Sequence, residues 1–248
     1  MRALFAQGIG FLDTCVNLMG RAMNTVPSGV QLGEVIGAMP VKPINVTYDF
    51  STDGLLKLSG KIRILTQAHA SPPSSLTFSI SDHDTDLIAE TETGSSVFGK
   101  SGSVYGTTTY FPFVIAGPSI RNATSFSATV LGTPKQAFTI SDQVFVVPSL
   151  TTLSGSTLNA TIAIPASSSC DDLAVQISAP FLQPGTLAPK ISDIGLELGV
   201  LTGRAGDYVL CHGVRELNDV PTGALTIKVS TGGHVIDSLL VNGGTAGW

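Results

Sequence analysis

The residues that could do chemistry are few, and their spacing argues against most of it. The one acidic cluster is Asp82-His83-Asp84-Thr85-Asp86. Carboxylates at alternate positions suit a calcium loop, whose oxygens converge on one hard cation. Such a loop needs Gly at its sixth position for the sharp turn and a bidentate Glu at its twelfth. Leu87 and Thr93 stand there instead, so the cluster reads as a solvated acidic turn. The four histidines, His69, His83, His212 and His234, form no i, i+4 pair and no H-E-x-x-H or H-x-H arrangement. No zinc or copper site is expected from them.

Serine is abundant, but no G-x-S-x-G occurs. The string Gly94-Ser95-Ser96-Val97-Phe98-Gly99-Lys100-Ser101 has the form of a phosphate loop. A phosphate loop works by feeding a helix N-terminus after a buried strand. Gly102 to Tyr110 follow here, Gly-rich and β-prone, and Glu90 and Glu92 precede. The string reads as a polar loop. Catalytic, cofactor and metal residues are therefore all expected to be absent.

Three sequons, at Asn45, Asn122 and Asn159, offer glycosylation sites and give mild support for secretion. Cys15, Cys170 and Cys211 allow three single pairings. Cys170 and Cys211 both fall in the β-rich part and are the favoured disulfide, leaving Cys15 over. Three reduced thiols in a cytosolic protein are the alternative.

Charged residues make up 12% of the 248, and the net charge is −5. Lys and Arg read as scattered singly, without the clustered footprint that phosphate neutralisation requires. Neither nucleic acid nor a membrane surface is an expected partner. No run of 18 apolar residues suggests a membrane span. Gln7 and Asp13 interrupt the apolar start that a signal peptide would need.

The elements behind these residues change type along the chain. Phe5, Ile9, Leu12, Val16, Met19 and Met23 recur at helical spacing and predict one amphipathic helix over 2–26. Pro27 and Gly29 end it, and Pro40-Val41-Lys42-Pro43 reads as a stiff connector. Beyond it, Ile44 to Phe50 and Leu55 to Leu65 alternate about a Thr52-Asp53-Gly54 turn, as a hairpin does. Further strands are expected at 75–80, 103–115, 124–131, 137–147, 158–164, 173–179, 191–198, 208–214, 225–230 and 234–241. The fold expected is mainly β: an N-terminal helix, then one or two antiparallel β-sandwiches of immunoglobulin or fibronectin type. The division expected is 1–43 for helix and connector, 44–148 for a first module and 149–248 for a second, with Pro148-Ser149 as the break.

The run Ala3 to Arg21, Thr25-Val26-Pro27, the Pro40–Pro43 connector and the tail Val241 to Trp248 resemble a known group. They look like the last helix and the β-rich C-terminal extension of secreted fungal multidomain haem peroxidases, some of which carry WSC modules. That resemblance implies a parent that reduces hydrogen peroxide on a haem held by a helical His. It assigns no haem ligand here, since residues 1–26 contain no His. What it implies for this chain is a non-catalytic, secreted accessory region, a glycoprotein fragment whose residues 2–26 dock on an upstream helical catalytic domain. The other reading is a free-standing extracellular β-sandwich that binds cell-wall carbohydrate or protein, with Tyr105, Tyr110 and Phe111 as candidate contacts.

Overall fold

The computed structural model describes residues 9–23, 39–65, 73–81, 83–89, 108–130, 135–141, 143–186 and 188–242. The chain forms two compact units, 1–38 and 39–248. In the first, helix α1 runs Ile9–Met23; the rest of the expected 2–26 helix lies outside the described residues. Val16 and Met19, both on the expected apolar stripe, are 63% and 65% exposed.

The second unit is mainly antiparallel β. Strands β1 (Val41–Phe50), β2 (Leu56–Leu65) and β5 (Thr108–Ala116) make one sheet in the order β1-β2-β5. Strands β3 (Ser75–Ile80), β4 (His83–Ile88), β6 (Ser125–Thr129) and β7 (Gln136–Thr139) make another, ordered β4-β3-β6-β7. The inward rows of these sheets share one apolar core containing Leu58, Ile62, Phe78, Phe113 and Phe126. Phe78 stacks on Phe113 across the two sheets at 4.6 Å and on Phe126 at 5.0 Å. Such ring pairs are each worth about 0.5–1.5 kcal/mol beyond the area they bury.

Strands β8 (Phe145–Val146), β10 (Thr157–Pro165), β13 (Gly199–Ala205) and β14 (Tyr208–Glu216) form a third sheet, ordered β13-β14-β10-β8, with β9 (Thr152–Ser154) also paired to β10. Strands β11 (Ala174–Phe181), β12 (Lys190–Leu196), β15 (Leu225–Thr231) and β16 (His234–Val241) form the fourth, ordered β12-β11-β15-β16. Leu158, Ile162, Ile164, Ile177 and Ile227 fill the core between them.

The third sheet is buried on both faces at β8, β10 and the start of β14. Leu158, Ala160, Ile162 and Ile164 of β10 join the second core, whereas Ala163 joins the first. Phe145 and Val146 divide the same way, as do Tyr208 with Leu210 against Cys211. A strand buried on both faces needs a near-continuous apolar run, and Ala160 to Ile164 supplies one, broken only by Thr161.

Several expectations change. The connector does not reach Pro43, because Val41 already pairs with Ile64 and Pro43 with Ile62. Proline is tolerated there because β1 is an edge strand and its missing N–H breaks no ladder. The expected strand 137–147 is two strands in different sheets, β7 and β8. Because β8 pairs with β10, Val146 opposite Ile162, Pro148-Ser149 does not separate two independent sheets. Of the acidic cluster, His83 to Asp86 lie in edge strand β4, paired with β3, instead of in a turn, and Asp82 lies outside the described residues. Charged side chains on an edge strand discourage further pairing. β9 and β13 add two strands that the alternation does not mark, and 103–107 lie outside the described residues.

Candidate functional site

The outer face of the β4-β3-β6-β7 sheet is polar because its outward positions alternate strictly with the phenylalanine core. Leu76, Phe78 and Ile80 of β3 point inward, so Thr77 and Ser79 point outward. Pairing then sets polar side chains side by side. Asp84 stands opposite Ser79, Ser79 opposite Ser127, and Ser127 opposite Ala137. That row crosses four strands, about 14 Å at ordinary strand spacing. In the next row Asp86 accepts a hydrogen bond from Thr77 Oγ1 at 2.9 Å.

A groove of about 510 Å³ runs over this face. Its floor includes Ser127, which is buried at 5% exposure although it points away from the core. Ser79, Ser81 and Asp84 form one bank, and Lys135 stands on the β7 side. The end wall is Asn122 to Ser125, brought over by the turn after Pro118–Ile120. Asn122 has φ 59° there, a left-handed conformation that Asn tolerates better than most residues. Hydroxyls and the amide can each donate and accept, while Asp84 only accepts and Lys135 only donates. The groove's hydroxyls are placed to hydrogen-bond a ligand, and among the described residues no imidazole lines it.

The other sequence candidates disperse. Asp84 and Asp86 share one face of β4; Asp82 lies outside the described residues. Among the described residues no group of three or more His, Cys, Asp or Glu could hold a metal ion. His212 Nδ1 lies 3.1 Å from Thr161 Oγ1, and His83 and His234 are exposed residues at the starts of β4 and β16. These imidazoles sit on strands and do not supply the helical cradle that the family resemblance attaches to haem. His69, the phosphate-loop string and Tyr105 lie outside the described residues. Phe111 is fully buried in the first core and is withdrawn as a ligand contact, while Tyr110 is half-buried on the outer face of the first sheet. Asn45 (φ 50°) and Asn122 are exposed, whereas Asn159 is half-buried within β10, opposite Val214 and Thr152.

Cys170 and Cys211 form a disulfide, with Cα atoms 5.7 Å apart. It ties β14 of the third sheet to the short 3-10 turn Cys170–Asp172 that leads into β11 of the fourth. Cys15 is a free thiol. No described helix is long and apolar enough to cross a membrane.

The groove residues went unnoticed in the sequence because each is an ordinary Ser, Thr or Asn at an alternating position. Only strand pairing assembles them. No protein-family model matches the sequence, and a search of the curated proteins finds no match either.

Proposed function

We propose that this chain is a non-catalytic, extracellular binding module whose ligand is a polyhydroxylated polymer such as a cell-wall carbohydrate. The observation that carries this reading is the groove on the second sheet, walled by Ser79, Ser81, Thr124, Ser125 and Ser127 and flanked by Asp84 and Lys135. Sugar hydroxyls donate and accept at once, as these side chains do, so a short stretch of glycan can satisfy both partners. The disulfide is compatible with an oxidising compartment. A glycan array probed with wild type and with Asp84→Ala tests the reading. Retention on one or a few wall polymers, weakened in the variant, is expected. Silence across the array, or equal retention of both proteins, counts against it. Because Asn122 stands in the end wall, the chain is best produced without glycosylation.

A second reading is that the chain is the accessory region of a secreted haem peroxidase, with α1 docked on the upstream catalytic domain. The apolar stripe Phe5, Ile9, Leu12, Val16, Met19 and Met23 supports it, since a helix with such a stripe needs a partner to pack on. A coding sequence upstream of Met1 with helices and two haem-pocket histidines would support it. A Soret band and peroxide-dependent guaiacol oxidation from this chain alone would overturn its non-catalytic part.

A further inference from the structure

A cavity of about 240 Å³ opens where one strand from each of the four sheets comes together. Its walls include Tyr48 of β1, Thr139 of β7, Phe145 and Val146 of β8, and Asp237 and Ser238 of β16. None of its described residues belongs to the groove.

Asp237 breaks the pattern of its strand. Alternate residues of a strand share a face, and Leu239 and Val241 pack against the second core. Asp237 falls in that same inward row, opposite the fully buried Val229 of β15. Its Oδ2 accepts from the Val146 amide at 2.7 Å. A neutral amide oxygen would accept that bond as well, so the backbone contact does not require the charge. Burial raises the carboxyl above its ordinary value, and the Val146 and Ser238 amides offset this only in part.

Among the described residues no Lys, Arg or His lines the cavity. The other titratable group on its walls is the Tyr48 phenol, and Asp142, beside Ser141, lies outside the described residues. On β15 the neighbouring cation is Lys228, one position from Val229, so strand alternation sends it to the opposite face.

We infer that this cavity is a cation subsite, separate from the groove, which takes the primary ammonium group of a small alkylamine against the Asp237 carboxylate. An ammonium is compact and carries three donors. Tyr48 and Phe145, ring centroids 5.4 Å apart, add aromatic surface for the charge and for an alkyl stem. A guanidinium is best held by both oxygens of a carboxylate, and Oδ2 is already engaged here. Calcium takes about 6–8 oxygen ligands, and Asp237 is the single carboxylate among the described lining residues. The volume is below the roughly 300–1,000 Å³ of pockets for drug-sized ligands, which suits a group of a few heavy atoms.

The test is an amide-resolved NMR titration of the full, isotope-labelled chain with butylammonium chloride at about pH 7. Butanol, sodium chloride at matched ionic strength and calcium chloride are parallel arms. Saturable shifts at the Val146, Asp237 and Ser238 amides are expected with butylammonium and not with the other three. Asp237→Asn keeps an acceptor for Val146 and should weaken binding about tenfold or more. Asp219→Asn, in the exposed loop before β15, should bind as wild type does. In wild type, binding should weaken at least about fivefold from pH 7 to pH 3, because the carboxylate takes up its proton while the amine stays charged. That arm needs no variant, and melting temperatures establish that both variants fold. Absence of saturable shifts at those amides, equal shifts with butanol or either salt, full binding by Asp237→Asn, or undiminished binding at pH 3 would each overturn the inference.

Discussion

The carboxylate of Asp49 on β1 accepts a 2.6 Å hydrogen bond from the hydroxyl of Ser149, one hundred residues further along the chain. The same oxygen accepts from the Phe50 amide at 2.8 Å. Ser149 lies in the 3-10 turn Pro148–Leu150, where the chain passes from the first pair of sheets to the second. Beside this bond, Phe145 packs on Tyr48, Phe50 and Tyr208, with ring centroids 5.4 to 5.6 Å apart. The first and third sheets are thus joined by packed aromatics, and a charge-assisted hydrogen bond ties β1 to the turn that follows β8. Ser149→Ala is expected to lower stability by about 1.5–3 kcal/mol, as for other hydrogen bonds to charged groups. Residues 39–248 should unfold in one transition, with coincident fluorescence and circular dichroism curves in urea. Two resolved transitions would contradict this.

The disulfide closes a loop of 41 residues between Cys170 and Cys211. In the chain-entropy account a loop of that size constrains the unfolded state by about 4 kcal/mol. The double replacement Cys170→Ser with Cys211→Ser should lower the unfolding free energy by that order. Urea melts with and without reductant should show the same difference in wild type only.

Gly213 on β14 is held by close packing. A Cβ there would lie 2.6 Å from the Glu197 carbonyl oxygen and 2.8 Å from Leu196 Cγ. Backbone cannot retreat as a flexible side chain can, so Gly213→Ala should cost about 1–3 kcal/mol as an overpacked site. Gly195→Ala is the control, since nothing lies within 4 Å of its Cβ position. A similar loss in both would show that the clash is not the cause.

Asp237 on β16 accepts from the Val146 amide of β8 at 2.7 Å. Burial raises its carboxyl above the ordinary value, and hydrogen bonds from the Val146 and Ser238 amides pull it partly back. The folded state therefore holds this proton more tightly than the unfolded one. The resulting stability is fully present below the unfolded pKa and is lost as pH rises through the folded one. Asp237→Asn keeps an acceptor and has no charge to desolvate. Thermal melts from about pH 3 to pH 7, spanning the carboxylate range, should show Asp237→Asn gaining on wild type as pH rises. Asp237→Leu should lose about 1–3 kcal/mol, because the Val146 amide is left unsatisfied.

The β class and the β1–β2 hairpin were readable because Leu56, Leu58, Ile62 and Ile64 alternate with polar residues and Gly54 (φ 72°) closes the turn. The cysteine pair was readable from its place in the β-rich part. Sheet membership was not, since Ala137 to Val147 carries no mark of changing sheets between β7 and β8. Nor does the sequence mark that Val146, before Pro148, pairs with Ile162 after it. The groove was illegible because Ser79, Ser127 and Asn122 look like any solvated polar residue until register brings them together.

The most direct measurement is an amide-resolved NMR titration of isotope-labelled chain with an oligosaccharide of the polymer that the array retains. Shifts should concentrate at Ser79, Asp84, Asn122, Ser125, Ser127 and Lys135 and saturate with a single affinity. A saturating titration that leaves those amides unmoved while others shift would show that the groove is not where the ligand binds.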